Sequence, residues 1–299
     1  MKKFPFLHLL LFILTVFSTL LAGALQAGVD LINEPEEIYK GLPFSLTLIL
    51  ILLSHELSHY FASKRHGVKA TLPYFIPFTN IIGTLGAFIK MKSPIITRRA
   101  LLDIGASGPI VGFIISVVVS IVGLSLSSVV GMQETDGTLS LGDSLLFSFL
   151  SRIILDYQPG QDVLLHPVAF AGWIGLFVTS INLMPVGQLD GGHITYALGG
   201  ENIHRKTSII VFIILLSLGL TKIFINGELL PVSIGMRDYA SQYLWEGWAF
   251  WAVILSFLGL RHPPILYWET PLDPVRRFIG WITCAVFIIT FIPVPFKFL

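Results

Sequence analysis

The chain has 299 residues, 54% hydrophobic and 12% charged, with a formal net charge of +1 and a mean hydropathy of +0.80. That composition belongs to integral membrane proteins and excludes an ordinary soluble domain. The near-zero charge leaves no electrostatic footprint for nucleic acid, and the single Cys284 cannot form an internal disulfide.

Seven apolar segments can be drawn in chain order, at 4–25, 42–63, 100–126, 163–184, 207–225, 244–260 and 278–296. Each is close to the ~20 residues that a helix needs to cross a bilayer. The first follows a basic Lys2-Lys3 start. It competes with a cleaved signal peptide, but its apolar run is long for one, so an uncleaved helix is expected.

The second segment carries Ser54-His-Glu-Leu-Ser-His59. His55 and His59 are four apart and share one helix face, so they can hold one metal ion, with Glu56 beside them as general base. With 8 histidines and 9 glutamates in 299 residues, chance supplies roughly 0.006 such matches. Ionisable groups at membrane depth are costly and mark function by default.

Residues 66–93 are apolar but interrupted by Pro73, Pro77, Gly83 and Gly86. No spanning helix fits there; short strands or a re-entrant β-hairpin at the cytoplasmic interface do. The third segment contains Gly105-Ala-Ser-Gly108-Pro-Ile-Val-Gly112, whose small residues suit close helix packing. In the following loop, 144–155 is too short to span and is expected to lie on the surface.

The fourth segment opens at His166 and ends in Asn182-Leu-Met-Pro-Val-Gly-Gln-Leu-Asp190-Gly-Gly-His193. Pro185 breaks the helix, and the glycines permit unwound backbone that can bring a carboxylate to a buried ion. A catalytic zinc takes three protein ligands plus a water. Asp190 is the candidate third ligand; the competing reading is a helix cap. His193 is a candidate neighbour of that site, and His166 reads as interfacial. Trp245, Trp248, Trp268 and Trp281 read as interfacial anchors.

Loop charges orient the chain. Basic groups stand at Lys2 and Lys3, from Lys64 to Arg99, at His204, Arg205 and Lys206, and at Arg261, Arg276 and Arg277. They alternate with acidic loops at Asp30, Glu34, Glu36 and Glu37, and at Glu134, Asp136, Asp143, Asp156 and Asp162. The positive-inside rule then puts the N-terminus in the cytoplasm and the motif toward the cytoplasmic end of its helix.

His55-Glu-Leu-Ser-His59, followed by Asn182-Leu-Met-Pro185 and Leu189-Asp190-Gly191, resembles the site-2 protease family of intramembrane zinc metalloproteases. The resemblance covers roughly 42–200 and points to a compact member without PDZ or CBS domains, similar to those related to the plastid proteases of plants. It implies one zinc ion held by His55, His59 and Asp190, Glu56 as the water-activating base, and Asn182 on the substrate strand or oxyanion.

The expected fold is an all-α polytopic membrane protein of about seven spans with a short cytoplasmic-side re-entrant β-hairpin. It divides into an N-terminal helix and external loop at 1–41, a catalytic core at 42–200 and C-terminal helices at 201–299. The expected activity is zinc-dependent cleavage of transmembrane segments of single-pass membrane proteins, in the plasma membrane of a prokaryote, with the lipid bilayer as partner and no nucleic acid. Two alternatives stand beside it: a membrane zinc protease with a glutamate third ligand, from Glu201, Glu246 or Glu269, and a non-enzymatic metal transporter.

Overall fold

The computed structural model describes all residues except 1–4, 132–138, 159, 231, 270 and 299. Lys2, Lys3, Glu134 and Asp136 of the charge pattern lie outside the described residues.

The elements, in order, are α1 (Phe6–Gln26), a 3-10 turn (Pro35–Gly41), α2 (Leu42–Arg65), β1 (Tyr74–Pro77), β2 (Thr84–Phe88), α3 (Arg98–Ser125), β3 (Ser128–Gly131) and β4 (Leu139–Leu141). Then come α4 (Leu145–Leu155), β5 (Gln161–Leu164), α5 (Pro167–Asn182), α6 (Asp190–Asn226), α7 (Ile234–Tyr243), α8 (Gly247–Leu258), α9 (Pro274–Thr290) and β6 (Phe296–Phe298). Among the described residues, four stretches are long and apolar enough to cross a membrane: Phe6–Gln26, Pro35–Arg65, Arg98–Ser125 and Asp190–Asn226. The chain is mostly helical, and these candidate spans are consistent with a polytopic membrane protein. Within the fourth, sixth and seventh apolar segments the helices are 16, 12 and 17 residues long, short of a straight crossing of ~20 residues.

Two compact units interleave along the chain. The first comprises Met1–Ile95, Ser107–Met132 and Phe149–Thr179; the second comprises Ile96–Ala106, Gln133–Ser148 and Ser180–Leu299.

In the first unit, α1 lies along α2, and a buried hydrogen bond joins Thr19 Oγ1 and Ser45 Oγ at 2.7 Å. β1 and β2 pair antiparallel, Tyr74 opposite Phe88 and Pro77 opposite Thr84. The prolines and glycines that rule out a helix in 66–93 sit in or beside this pair. The Ser18 hydroxyl donates to the Gly83 carbonyl at 2.6 Å and so ties the turn to α1. α3 and α5 approach until a Cβ on Gly172 would stand 2.4 Å from Ser120 Oγ. That is close small-residue packing of the kind used between membrane helices.

In the second unit, α6 is bent at Gly200, whose φ of 82° and ψ of 179° only glycine adopts readily. The break robs the preceding turn of helical donors. Arg98 replaces them: its guanidinium donates to the Ala197 and Leu198 carbonyls at 2.5 and 3.1 Å and stacks on Trp268 with its carbon 4.4 Å from the ring centroid. Arg276, on α9, grips both Asp103 oxygens at 2.9 and 2.7 Å and also bonds Asp273.

Two sequence expectations change here. His204 does not stand in a basic loop; α6 runs through it, and the residue is buried. Trp248 is no interfacial anchor. It is a core residue whose indole N–H donates to the Pro293 carbonyl at 2.7 Å. A buried indole needs such a partner, which sequence pattern cannot show.

The bend gives a test. Gly200→Ala forces a side chain into a positive-φ conformation, with its Cβ 3.2 Å from the Trp268 ring. It should destabilise the protein by about 1–3 kcal/mol, seen as a lower unfolding midpoint in detergent.

Candidate metal centre

α2 begins with Pro43 in its first turn and continues through straight-chain and branched apolar residues with no internal breaker. Its buried stripe runs Phe44, Leu48, Ile51 and Leu52, then His55, Glu56, His59 and Ser63. The helical repeat that buries leucine and isoleucine in its first half therefore buries the motif in its second.

His55, Glu56 and His59 are 4%, 6% and 5% exposed. The two Nε2 atoms face each other at 3.1 Å, with the rings edge to face. Glu56 Oε1 is 4.0 Å from His55 Nε2. Two imidazole nitrogens on one tetrahedral zinc, at bonds of about 2.0–2.1 Å, stand about 3.3 Å apart. The pair is thus preset to that spacing. A carboxylate and two imidazoles out of water call for a compensating positive charge, which a dication supplies.

α3 makes room for the rings. A Cβ at Gly108 would fall 2.1 Å from His59 Nε2, and one at Gly112 would fall 3.0 Å from His55 Nδ1. These glycines, four apart, form a cradle for the imidazoles. The sequence pattern reads only as helix packing, because G-x-x-x-G spacing does not say what approaches it.

Asp190 and Asn182 belong to the second unit. Asn182 ends α5, and Asp190 opens α6. The cap residue is Leu189, which has extended backbone, so Asp190 occupies the first helical position and is not the cap. Between them the chain turns back on itself. A Cβ on Gly191 would lie 2.0 Å from the Leu183 carbonyl oxygen, and one on Gly192 would lie 2.4 Å from that of Gly187.

The unwound backbone is held by side chains one and two turns beyond the Gly200 bend. The His204 ring Nε2–H donates to the Gly187 carbonyl at 2.9 Å, and the Gly187 N–H donates to Ser208 Oγ at 3.1 Å. His204 thus serves the break and is not a loop charge. Seventeen residues separate these groups, so no local pattern announces the contact. His166 accepts the Val168 N–H through Nδ1 at 3.3 Å at the start of α5. His193 pairs with His262 at 2.8 Å.

The cradle sets a prediction. Gly108→Ala should cut the zinc bound per purified chain several-fold by displacing His59, with metal analysis as the readout. Gly235→Ala, at a glycine with open space around it and no positive φ, should leave zinc content unchanged.

Residues 43–225, more than half of the chain, match Peptidase family M50. Among curated relatives, the chain is 28% identical to the chloroplastic "Probable zinc metalloprotease EGY2" of Arabidopsis thaliana, over 92% of this chain and 46% of that protein. It is 38% identical to "Probable zinc metalloprotease EGY1" of the same plant, over 54% of this chain and 30% of that protein. It is 34% identical to the EGY1 protein of Oryza sativa subsp. japonica, over 66% of this chain and 38% of that protein. The chain therefore spans less than half the length of these relatives. No solved structure matches it. Its motif helix and the extent of the match agree: the chain belongs to Peptidase family M50, the site-2 protease family.

Proposed function

We propose that this chain is a zinc-dependent endopeptidase that cleaves transmembrane segments within the bilayer. The observation that carries the reading is the buried approach of His55 and His59 Nε2 at 3.1 Å, with Glu56 beside them, on a helix long and apolar enough to span. The relatives named as zinc metalloproteases support it.

In this reading His55, His59 and Asp190 hold one zinc ion per chain. Two imidazoles and a carboxylate are a donor set that could hold a metal ion, and a third protein ligand leaves one position open for water. Zinc, when bound, supplies Lewis acidity: it lowers the pKa of a water and stabilises negative charge on a carbonyl oxygen.

The protein's own groups do the rest. Glu56 accepts a proton as water attacks the scissile carbonyl carbon, then returns it to the amine nitrogen as the C–N bond breaks. The Asn182 side-chain amide donates a hydrogen bond to the substrate backbone or to the developing oxyanion. A helical peptide bond is shielded by its own turn, so the substrate must first become extended. Pairing with an edge of the β1–β2 hairpin, at the cytoplasmic interface, would hold it so.

Basic residues after α2 and acidic residues before it support a cytoplasmic N-terminus and seven crossings, the shorter helices spanning with their flanking residues. The charge pattern orients the chain in its membrane and names no compartment; a prokaryotic plasma membrane and single-pass membrane proteins as substrates are part of this proposal, while the named relatives are chloroplastic proteins. The remaining apolar segments of the sequence offer few further His, Asp or Glu residues, which weighs against the transporter reading.

Two variants test the reading. Glu56→Gln should keep about one zinc per chain and lose at least 1,000-fold in cleavage of a reconstituted transmembrane substrate, about 4 kcal/mol of barrier; cleavage at the wild-type rate would remove Glu56 as base. Asp190→Ala should lose the zinc, and an unchanged zinc content would move the third ligand elsewhere.

A further inference from the structure

α2 ends in a turn that folds the chain back on itself. Gly67 takes a φ of 69°. The Val68 N–H donates to the Ser63 carbonyl at 2.9 Å, and the Gly67 N–H donates to the Lys64 carbonyl at 3.1 Å. This is a Schellman turn: it satisfies the last carbonyls of the helix and tucks in the apolar residue that follows, here the buried Val68. The chain then runs antiparallel to residues 90–92. Ala70 bridges Met91, and the Thr71 and Lys92 N–H groups donate to the Lys90 and Lys69 carbonyls at 3.0 and 2.6 Å. The reversal leaves a cavity of about 260 Å3 between the last turns of α2 and the returning segment, lined by Tyr60, Lys64, Gly67, Val68, Lys69 and Ala70.

Two lysines and no acid border this cavity. Lys64 is held over the Tyr60 ring, its Nζ 5.5 Å from the centroid, within cation–π reach. Among the described residues, neither Lys64 nor Lys69 pairs with a carboxylate. The surrounding sequence has none to offer: between Glu56 and Asp103 stand seven Lys or Arg residues and no Asp or Glu. Like charges gathered in this way attract an anion from outside the chain. The cavity also adjoins an apolar face. The Phe61 ring meets the Tyr60 ring, centroids 5.7 Å apart, and Phe61 is 60% exposed, as are Leu46 at 61% and Leu50 at 50% on the same side of α2. On a spanning helix such a side meets acyl chains, and here it ends at the two lysines.

We propose that this cavity binds the phosphate of an anionic phospholipid, ion-paired to Lys64 and Lys69, with the acyl chains lying along Phe61, Leu50 and Leu46. A free phosphate would satisfy the lysines equally well, but only a lipid uses the apolar side beside them. The volume falls below the ~300 Å3 at which pockets for whole small molecules begin and suits a headgroup. The site rests on the membrane placement of α2 proposed above, with its basic end at the surface where anionic lipids attract Lys and Arg. It does not depend on cleavage. Tyr60 directly follows His59, so the lipid anchors the end of the helix that carries the metal motif.

The test uses the full chain purified in detergent and titrated with dioleoyl phosphatidylglycerol or dioleoyl phosphatidylcholine, with bound lipid read by native mass spectrometry. The wild type should bind phosphatidylglycerol about 10–30-fold more tightly than phosphatidylcholine, the worth of two basic groups facing an anionic lipid. Lys64→Gln/Lys69→Gln should abolish that preference. Arg65→Gln/Lys92→Gln removes the same charge from residues that do not line the cavity and should keep it. Matching unfolding midpoints show that the variants fold; Lys69→Gln alone, which leaves the helix untouched, should give an intermediate preference and decides the matter if the double variant does not fold. Equal binding of the two lipids by the wild type, or equal losses in the two double variants, overturns the proposal. Displacement of phosphatidylglycerol by inorganic phosphate at the same concentration overturns the lipid in favour of the free anion. A wild type that stays in solution without detergent or lipid overturns the membrane placement, and the site with it.

Discussion

A glutamate and two histidines buried on an apolar, membrane-length helix create a debt of solvation that the surrounding structure must meet. Each polar group left without partners in such a setting costs several kcal/mol. His55 and His59 direct their Nε2 atoms at one point, with Glu56 beside them. A divalent cation there would satisfy both imidazoles and offset the carboxylate. The glycines of α3 follow from this. The rings need space, and only the absence of side chains at Gly108 and Gly112 leaves it.

A second constraint concerns backbone. The stretch between Asn182 and Asp190 is unwound, and its polar groups must be satisfied locally. The Gly187 carbonyl and N–H are taken by His204 and Ser208, and the close folding-back is permitted by Gly191 and Gly192. The second break, at Gly200, is answered in the same way by Arg98 on the Ala197 and Leu198 carbonyls. Each departure from the helix is matched by a named side chain from elsewhere in the second unit. These side chains are why irregular backbone persists on either side of Asp190.

Much of this was legible in the sequence, for physical reasons. The motif spacing equals the helical repeat, so His55 and His59 had to share a face. Pro185 and the glycines after it had to end one helix before another began. Hydropathy marked every long helix. What stayed hidden depends on separation along the chain. His204 sits between Ile203 and Arg205 in a run that reads as a basic loop, yet its partner is seventeen residues back. His193 and His262 are 69 residues apart. Trp248 looks like an anchor until the Pro293 carbonyl is seen against it. The same separation governs the motif's surroundings: Gly108 and Gly112 read as a helix-packing pattern, and the side chains that pack against them are the imidazoles of His59 and His55.

The central claim is that the facing imidazoles hold zinc. X-ray absorption at the zinc edge of the purified full chain measures it directly. The account predicts about one zinc with only nitrogen and oxygen neighbours, outer-shell scattering from two imidazoles, and loss of that signal in His59→Ala. A chain purified without zinc, a sulfur neighbour, or an imidazole signal unchanged in His59→Ala would contradict it.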